Sequence, residues 1–274
     1  MLLDKKSFKQ TIKMKNRQNI RKFLLLVSFI LYPISFFIMS PDLLMFGASE
    51  RIMAGDIMFF IFLFILSFFV GRIFCGWVCP AGALQDFCFD INKKPANNKL
   101  NWIKWLQFIP WITFFIFLVI YFGGIKRVDF FYKRALGVSM VGLGEWVMYF
   151  GTVAIIFLMA VLTGKRGLCH YICWVSPFMI IGGKIRDLLR IPSLRLITKP
   201  ELCNSCGLCS RACPMSLPLD ELIKSGEIGH PECTLCSTCV DSCPKDVIRF
   251  AFRYSQKTRY LDTIHCRSER ANTN

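Results

Sequence analysis

RIFCGWVCPAG, residues 72–82, closes a run of fourteen almost wholly apolar residues, Ile57–Val70. Two cysteines four residues apart, Cys75 and Cys79, stand with Trp77 and Pro80 at the mouth of what reads as a membrane helix. RGLCHYICWVSP, residues 166–177, repeats the arrangement after another apolar run, with Cys169 and Cys173. An arginine stands three residues before the first cysteine of each pair, Arg72 and then Arg166. Reactive sulfur placed twice at the end of an apolar helix asks for a chemical reason.

The 274-residue chain is 54% hydrophobic and holds 27 Phe, more than a soluble domain of this size needs to fill a core. The excess falls into four runs, Phe23–Ser40, Ile57–Val70, Trp105–Phe122 and Trp146–Thr163. Three of them reach 18 residues, close to the roughly 20 that cross a bilayer core. The second reaches that length if Arg72 snorkels and Ile73–Val78 continues its helix. Pro33 and Pro110 are expected to kink the first and third spans. No small-x-small cleavage site follows the first run, which therefore reads as an uncleaved helix and not as a signal peptide.

Four spans put both termini on one side. Of the 34 Lys and Arg, 29 then lie on that side, which the positive-inside rule assigns to the cytoplasm. Lys126, Arg127, Lys133 and Arg134 face outward in this arrangement, against the trend. The net charge of +16 reads as topology and contact with anionic lipid, since no RNA- or DNA-binding pattern accompanies it.

Fourteen cysteines in a chain with a cytoplasmic tail argue for metal and against disulfides. In the tail, CNSCGLCSRACP (203–214) recurs as CTLCSTCVDSCP (233–244), an internal repeat at an offset of 30. Each copy is C-x2-C-x2-C-x3-C-P. The short spacing lets three thiolates of one loop cap three irons of a cube, and the fourth reaches across to the other cluster. Cys203, Cys206, Cys209 and Cys243 are expected to hold one 4Fe-4S cluster, and Cys213, Cys233, Cys236 and Cys239 the other. Zinc gains nothing from a duplicated pattern of this kind. Pro214 and Pro244 turn the chain away, and Gly207 lets backbone approach the cage, where the second copy carries Ser237. Cys88 and Cys266 stay outside the motifs and read as incidental.

The expected fold class is membrane α-helical. Four transmembrane helices form two parallel two-span repeats, followed by a small C-terminal bacterial-ferredoxin-like (α+β) domain with two 4Fe-4S clusters. Residues 1–22 read as a basic cytoplasmic arm and 23–183 as the four-span membrane domain, with both C-x3-C motifs at cytoplasmic helix ends. Residues 184–202 read as a basic amphipathic linker, either a strip on the inner membrane face or a plain connector. The double ferredoxin domain takes 203–250 and a polar tail 251–274.

Residues four apart on a helix share a face, so Cys75 and Cys79 aim together, as do Cys169 and Cys173. Related by a pseudo-twofold axis, these four converge at the inner rim as a candidate third iron–sulfur site. Two other readings stay open: each pair as a thiol–disulfide couple, or all four as packing at helix ends. Arg72 and Arg166 offset the charge of such a site or snorkel to lipid. His170 is a candidate proton acceptor near the rim, as are Asp86 and Asp90 on the inner side and Glu145 and Asp56 on the outer; an interfacial anchor or a hydrogen-bonded packing residue is the plainer role for His170.

On FCGWVCPAG (74–82), GLCHYICW (167–174) and the two tail motifs, the chain resembles the NapH-like membrane polyferredoxins over residues 20–250. NosR-type and CcoG-type accessory proteins share this module. The resemblance implies electron transfer between the quinone pool and a redox partner, a ferredoxin-like protein, cytochrome or reductase subunit. One departure stands out: Trp174 follows Cys173 where the family pattern has proline, which comes only at Pro177. No catalytic nucleophile or phosphate loop is visible, so the chain reads as an electron-transfer subunit and not as a complete enzyme. The alternative class is a redox-sensing or maturation factor for another metalloenzyme. A transporter is excluded for want of charges within the spans.

Overall fold

The structure is a computed structural model that describes residues 2–130, 132 and 142–255, with the side chains of 2–15, 37 and 42 left aside. Lys133, Arg134 and Cys266 lie outside the described residues. Helix α1 (Leu2–Ile30) starts in the basic segment and runs into the first apolar run. It stops there, because Pro33 has no N–H to continue the ladder, and the chain steps through α2 (Tyr32–Ser35) and a 3-10 turn (Phe36–Met39) into α3 (Pro41–Ser49). Strand β1 (Ile52–Ala54) leads into α4 (Gly55–Val70). Gly71, at φ +55°, ends α4 in a conformation that a Cβ would strain. Next come α5 (Ile73–Trp77) and α6 (Pro80–Phe87).

The long α7 (Ile103–Tyr121) runs through Pro110, and β2 (Arg127–Asp129) follows and pairs in parallel with β1. Helix α8 (Leu143–Thr163) ends at Gly164, φ +85°, and gives way to α9 (Gly167–Tyr171) and α10 (Val175–Leu188). The ferredoxin portion opens on β3 (Ser193–Thr198), inside the segment expected as a linker. Short helices α11 (Leu208–Ala212), α12 (Leu219–Leu222) and α13 (Thr238–Asp241) precede β4 (Ile248–Arg253). β4 lies antiparallel to β3, from Ser193 opposite Arg253 to Thr198 opposite Ile248. Leu196, Met215, Leu217, Leu219 and Ile248 fill the core beneath this sheet.

The expectation of four transmembrane helices in two-span repeats is corrected. Among the described residues, two helical segments are long and apolar enough to cross a membrane, Asn98–Tyr121 and Leu143–Thr163. The first run is broken at Leu31–Met39. The second gives a helix of 16 residues, about 24 Å against a hydrocarbon core of about 30 Å. Arg72 does not extend it by snorkelling, because Gly71 turns the chain and Arg72 is only 2% exposed.

The unit that recurs is different from a pair of spans. It is one apolar helix, a glycine turn, a buried arginine, a five-residue helix and a third helix: α4–α5–α6, then α8–α9–α10. Along α7 and α8 most apolar side chains face outward, Ile120, Phe117, Val147 and Leu162 among them. Water tolerates such a continuous apolar surface poorly.

Candidate metal centres

The thirty-residue repeat of the tail is written into its backbone. Non-glycine residues with positive φ pair off at that offset, Ser205 with Leu235 and Ser216 with Asp246, and Gly207 (φ +68°) matches Ser237 (φ +62°). Ser205 and Gly207 in the first copy, like Leu235 and Ser237 in the second, lie between successive cysteines and bend each loop around one hollow. One hollow is lined by Cys203, Cys206, Cys209 and Cys243, and a second by Cys213, Cys233, Cys236 and Cys239. Each hollow takes its fourth cysteine from the other motif. Burial pushes the Cys213 thiol up to about 11 and the Cys233 thiol up to about 12. Thiolates there need a cationic partner, and iron supplies one. Among the described residues no cysteine forms a disulfide, and no group of three or more His, Cys, Asp or Glu is gathered tightly enough for a single metal ion.

The two rim motifs fold alike. Cys75 N–H donates to the Arg72 carbonyl at 3.1 Å and Cys169 N–H to that of Arg166 at 3.0 Å. Cys79 N–H reaches the Phe74 carbonyl and Cys173 N–H the Leu168 carbonyl, both at 3.0 Å. The missing proline after Cys173 leaves these bonds in place but changes the exit: α6 starts directly after Cys79, whereas α10 starts at Val175 with Trp174 as its N-cap. The four thiols are near enough for the charge of one to bear on another, but they do not share helix faces. Cys75 is in α5, Cys79 caps α6 in an extended conformation, and Cys173 follows the end of α9. Cys75, Cys79 and Cys169 are all under 9% exposed. Burial raises the Cys79 and Cys173 thiols, the latter to about 12, and each is raised further by Cys75 and Cys169.

Polar groups converge on this sulfur. Gln85 donates from Nε2 to Cys169 Sγ at 3.4 Å and accepts the Leu168 N–H at 3.0 Å. Met179 Sδ lies 3.7 Å from Cys75 Sγ. Arg72 donates from Nη1 to Glu232 at 2.6 Å, while its buried Nε and Nη2 have no hydrogen-bond partner. The Cys75 and Cys173 thiols sit within its field. Unpartnered donors beside buried sulfur fit a group rich in acceptors, as an iron–sulfur cage is. Arg166, 1% exposed, donates to both oxygens of Asp86 and, at 2.9 Å, to the Cys75 carbonyl. Neither arginine snorkels.

Of the candidate proton acceptors, His170 is fully buried with Nδ1 2.6 Å from Asn101 Oδ1, and burial pulls its pKa down to about 4. Of its two plainer roles it takes that of a hydrogen-bonded packing residue and not that of an interfacial anchor. Asp86 is locked between Arg166 and Arg21. Asp90 is exposed beside Lys93, Glu145 accepts the Gly142 N–H at the start of α8, and Asp56 accepts the Ile57 N–H at 2.9 Å. Lys126 and Arg127 lie at β2, where their N–H groups reach the Arg51 carbonyl.

A 4Fe-4S binding domain model matches the chain twice, over residues 57–98 and 145–192, each match enclosing one C-x3-C turn. A 4Fe-4S dicluster domain model matches residues 202–248. The ferredoxin-type protein NapH of Escherichia coli (strain K12) is 26% identical over 199 residues, 67% of this chain and 63% of NapH. The chain belongs to the NapH-like polyferredoxin family.

The polyferredoxin is also 27% identical over 210 residues to YccM of the same organism, named for electron transport, covering 72% of this chain and 56% of YccM. It is 28% identical over 195 residues to the methylamine utilization ferredoxin-type protein MauN of Methylorubrum extorquens, covering 67% and 62%. It thus spans less than two thirds of the length of each of these three relatives. No solved structure matches it.

Sequence reading of this polyferredoxin missed Glu232, Lys104 and Gln18. Glu232 takes both Arg72 and Lys104, and Gln18 donates to Ser237 Oγ at 3.1 Å. A lone lysine at the edge of an apolar run and an acid next to a cluster cysteine were the available signals.

Proposed function

We propose that this polyferredoxin carries electrons between the quinone pool and a redox partner. Two 4Fe-4S clusters, held by Cys203, Cys206, Cys209, Cys243 and by Cys213, Cys233, Cys236, Cys239, form the soluble end. A third group at Cys75, Cys79, Cys169 and Cys173 forms the membrane end. Bound clusters of this kind supply one-electron chemistry with no transfer of atoms.

The chain's own residues do the rest. Arg72 and Arg166 bring positive charge against the rim sulfur, Gln85 orients Cys169, and the packed apolar core around Cys75 and Cys79 excludes water. Leu44, Phe60, Trp111 and Phe178 line an apolar cavity in that same core, which supports a lipid-soluble electron donor or acceptor. We place the chain in the inner membrane, crossed by α7 and α8, with its clusters on the cytoplasmic side, as its basic excess supports.

The observation that carries the reading is that the buried Cys75, Cys79 and Cys169 and the half-buried Cys173 neighbour one another beside Arg72, Arg166 and Gln85, next to a ferredoxin domain. Iron and acid-labile sulfide per chain, with a potentiometric EPR titration, test it. About twelve irons are expected in the wild type, and about eight after Cys75→Ser with Cys173→Ser, the two tail signals remaining. About eight in both proteins removes the third group.

A further inference from the structure

The two halves of the ferredoxin domain, alike in sequence, differ sharply in surroundings. In the first, Asn204, Ser205 and Cys206 are exposed and Leu208 is 42% exposed. At the matching positions of the second, Thr234, Leu235 and Cys236 are buried. The cover comes from the rim motif. Trp77 donates from its indole N–H to the Leu235 carbonyl at 3.1 Å. A Cβ on Gly76 would run into the Thr234 carbonyl and stand 3.4 Å from the Cys236 Cα, so only glycine admits this approach. Arg72 reaches the Pro231 carbonyl and Glu232, and on the other flank Gln18 of α1 reaches the Cys236 carbonyl at 3.3 Å.

We propose that Gly76 and Trp77 seat the rim motif directly on the 233–236 loop, so that Cys213, Cys233, Cys236 and Cys239 form the inner ligand set and Cys203, Cys206, Cys209 and Cys243 the outer one, in that fixed order. With clusters bound, an electron arriving from the rim would reach the group held by the inner set first and would leave through the group held by the outer set, at the exposed Cys206 edge. The rim group would lose one electron for each one that the inner group gains, and no atom or proton would move. The reverse flow runs through the same order. Arg72 supports the assignment, since its charge bears on Cys169 and Cys173 of the rim and also on Cys233. Gly76 and Trp77 are positioning residues; neither touches a reacting atom.

This order rests on the electron-transfer reading, and its test separates the two. In the full-length loaded protein, Cys239→Ser and Cys206→Ser first assign the two tail EPR signals. Trp77→Phe, which keeps the ring and drops the N–H, and Gly76→Ala are then titrated potentiometrically. The midpoint potential or line shape of the inner signal is expected to shift in both variants, with the outer signal unmoved. A water-soluble dysprosium chelate should speed relaxation of the outer signal more than the inner. If Gly76→Ala does not fold, Trp77→Phe decides alone. A shift of the outer signal, or of neither, overturns the order. The iron count per chain decides the rim group separately, whichever way the signals move.

Discussion

Arg166 grips Asp86 at two points, Nε to one carboxylate oxygen at 2.7 Å and Nη2 to the other at 2.9 Å, while its Nη1 reaches back to the Cys75 carbonyl. The second repeat thereby holds the first. Arg21 of α1 joins the same carboxylate at 2.7 Å and also reaches the Gly76 carbonyl. Three segments far apart in sequence meet on one acid, next to the rim thiols.

Asp86→Asn leaves two buried guanidinium groups short of their counter-charge. The expected cost is about 3 kcal/mol, in the range for breaking a buried pair, read as a lowered thermal midpoint of the detergent-solubilised protein. The pH dependence has a definite sign. Burial alone would raise the Asp86 pKa, but Arg166 and Arg21 hold it below the usual carboxylate range. A depressed carboxylate contributes stability that is complete above its unfolded value of about 3.9 and lost as pH falls through the lower folded value. The gap between wild type and variant should be flat from about pH 8 to about pH 5 and close only below about pH 4. A gap that narrows near neutrality would assign the loss to another group.

The metal-binding loops were legible because ligand spacing is local: C-x2-C-x2-C-x3-C states the cage, and the offset of 30 states its duplication. The number of crossing helices was not. Run length says nothing of where a helix breaks, and Pro33 and Gly71 break two of the four. Strand β3 was hidden in residues 184–202 because Arg195, which made the segment look like a surface strip, is turned inward to Glu227 and Asp187. Arg72 was noticed, but its partner Glu232 lies 160 residues away and no local pattern names it.

Ser237 takes a left-handed conformation where the first repeat has Gly207, at a cost of about 1 kcal/mol. Its hydroxyl accepts from Gln18, which offsets a similar amount. Ser237→Gly should therefore be close to neutral in thermal midpoint, and Ser237→Ala lower by about 1 kcal/mol, keeping the strain without the bond. Both should speed amide exchange around residue 18 in α1. Equal midpoints for Ala and Ser would deny Gln18 any part in docking α1.

Crossing by α7 and α8 puts the segment between them opposite the ferredoxin domain. A reporter active only outside the cytoplasm, inserted after Gly124, should be active, and the same reporter at the C-terminus silent. The reverse pattern would invert the orientation, and activity at both sites would mean that α8 does not cross.

Cys213 belongs to the first tail motif by sequence, yet it lines the hollow of Cys233, Cys236 and Cys239. The Cys213→Ser variant should therefore lose the EPR signal that Cys239→Ser loses, and leave intact the one that Cys206→Ser removes. Cys243→Ser should do the opposite, since Cys243 lines the hollow of Cys203, Cys206 and Cys209. Each single variant should drop iron by at most about four per chain. This crossing is also the physical reason that the halves cannot be separated: a fragment ending before Cys233 keeps three ligands of one cage and a single ligand of the other. Pairing of Cys213→Ser with Cys206→Ser in one lost signal would mean that each motif closes its own cage, and the crossed ligand sets would be wrong.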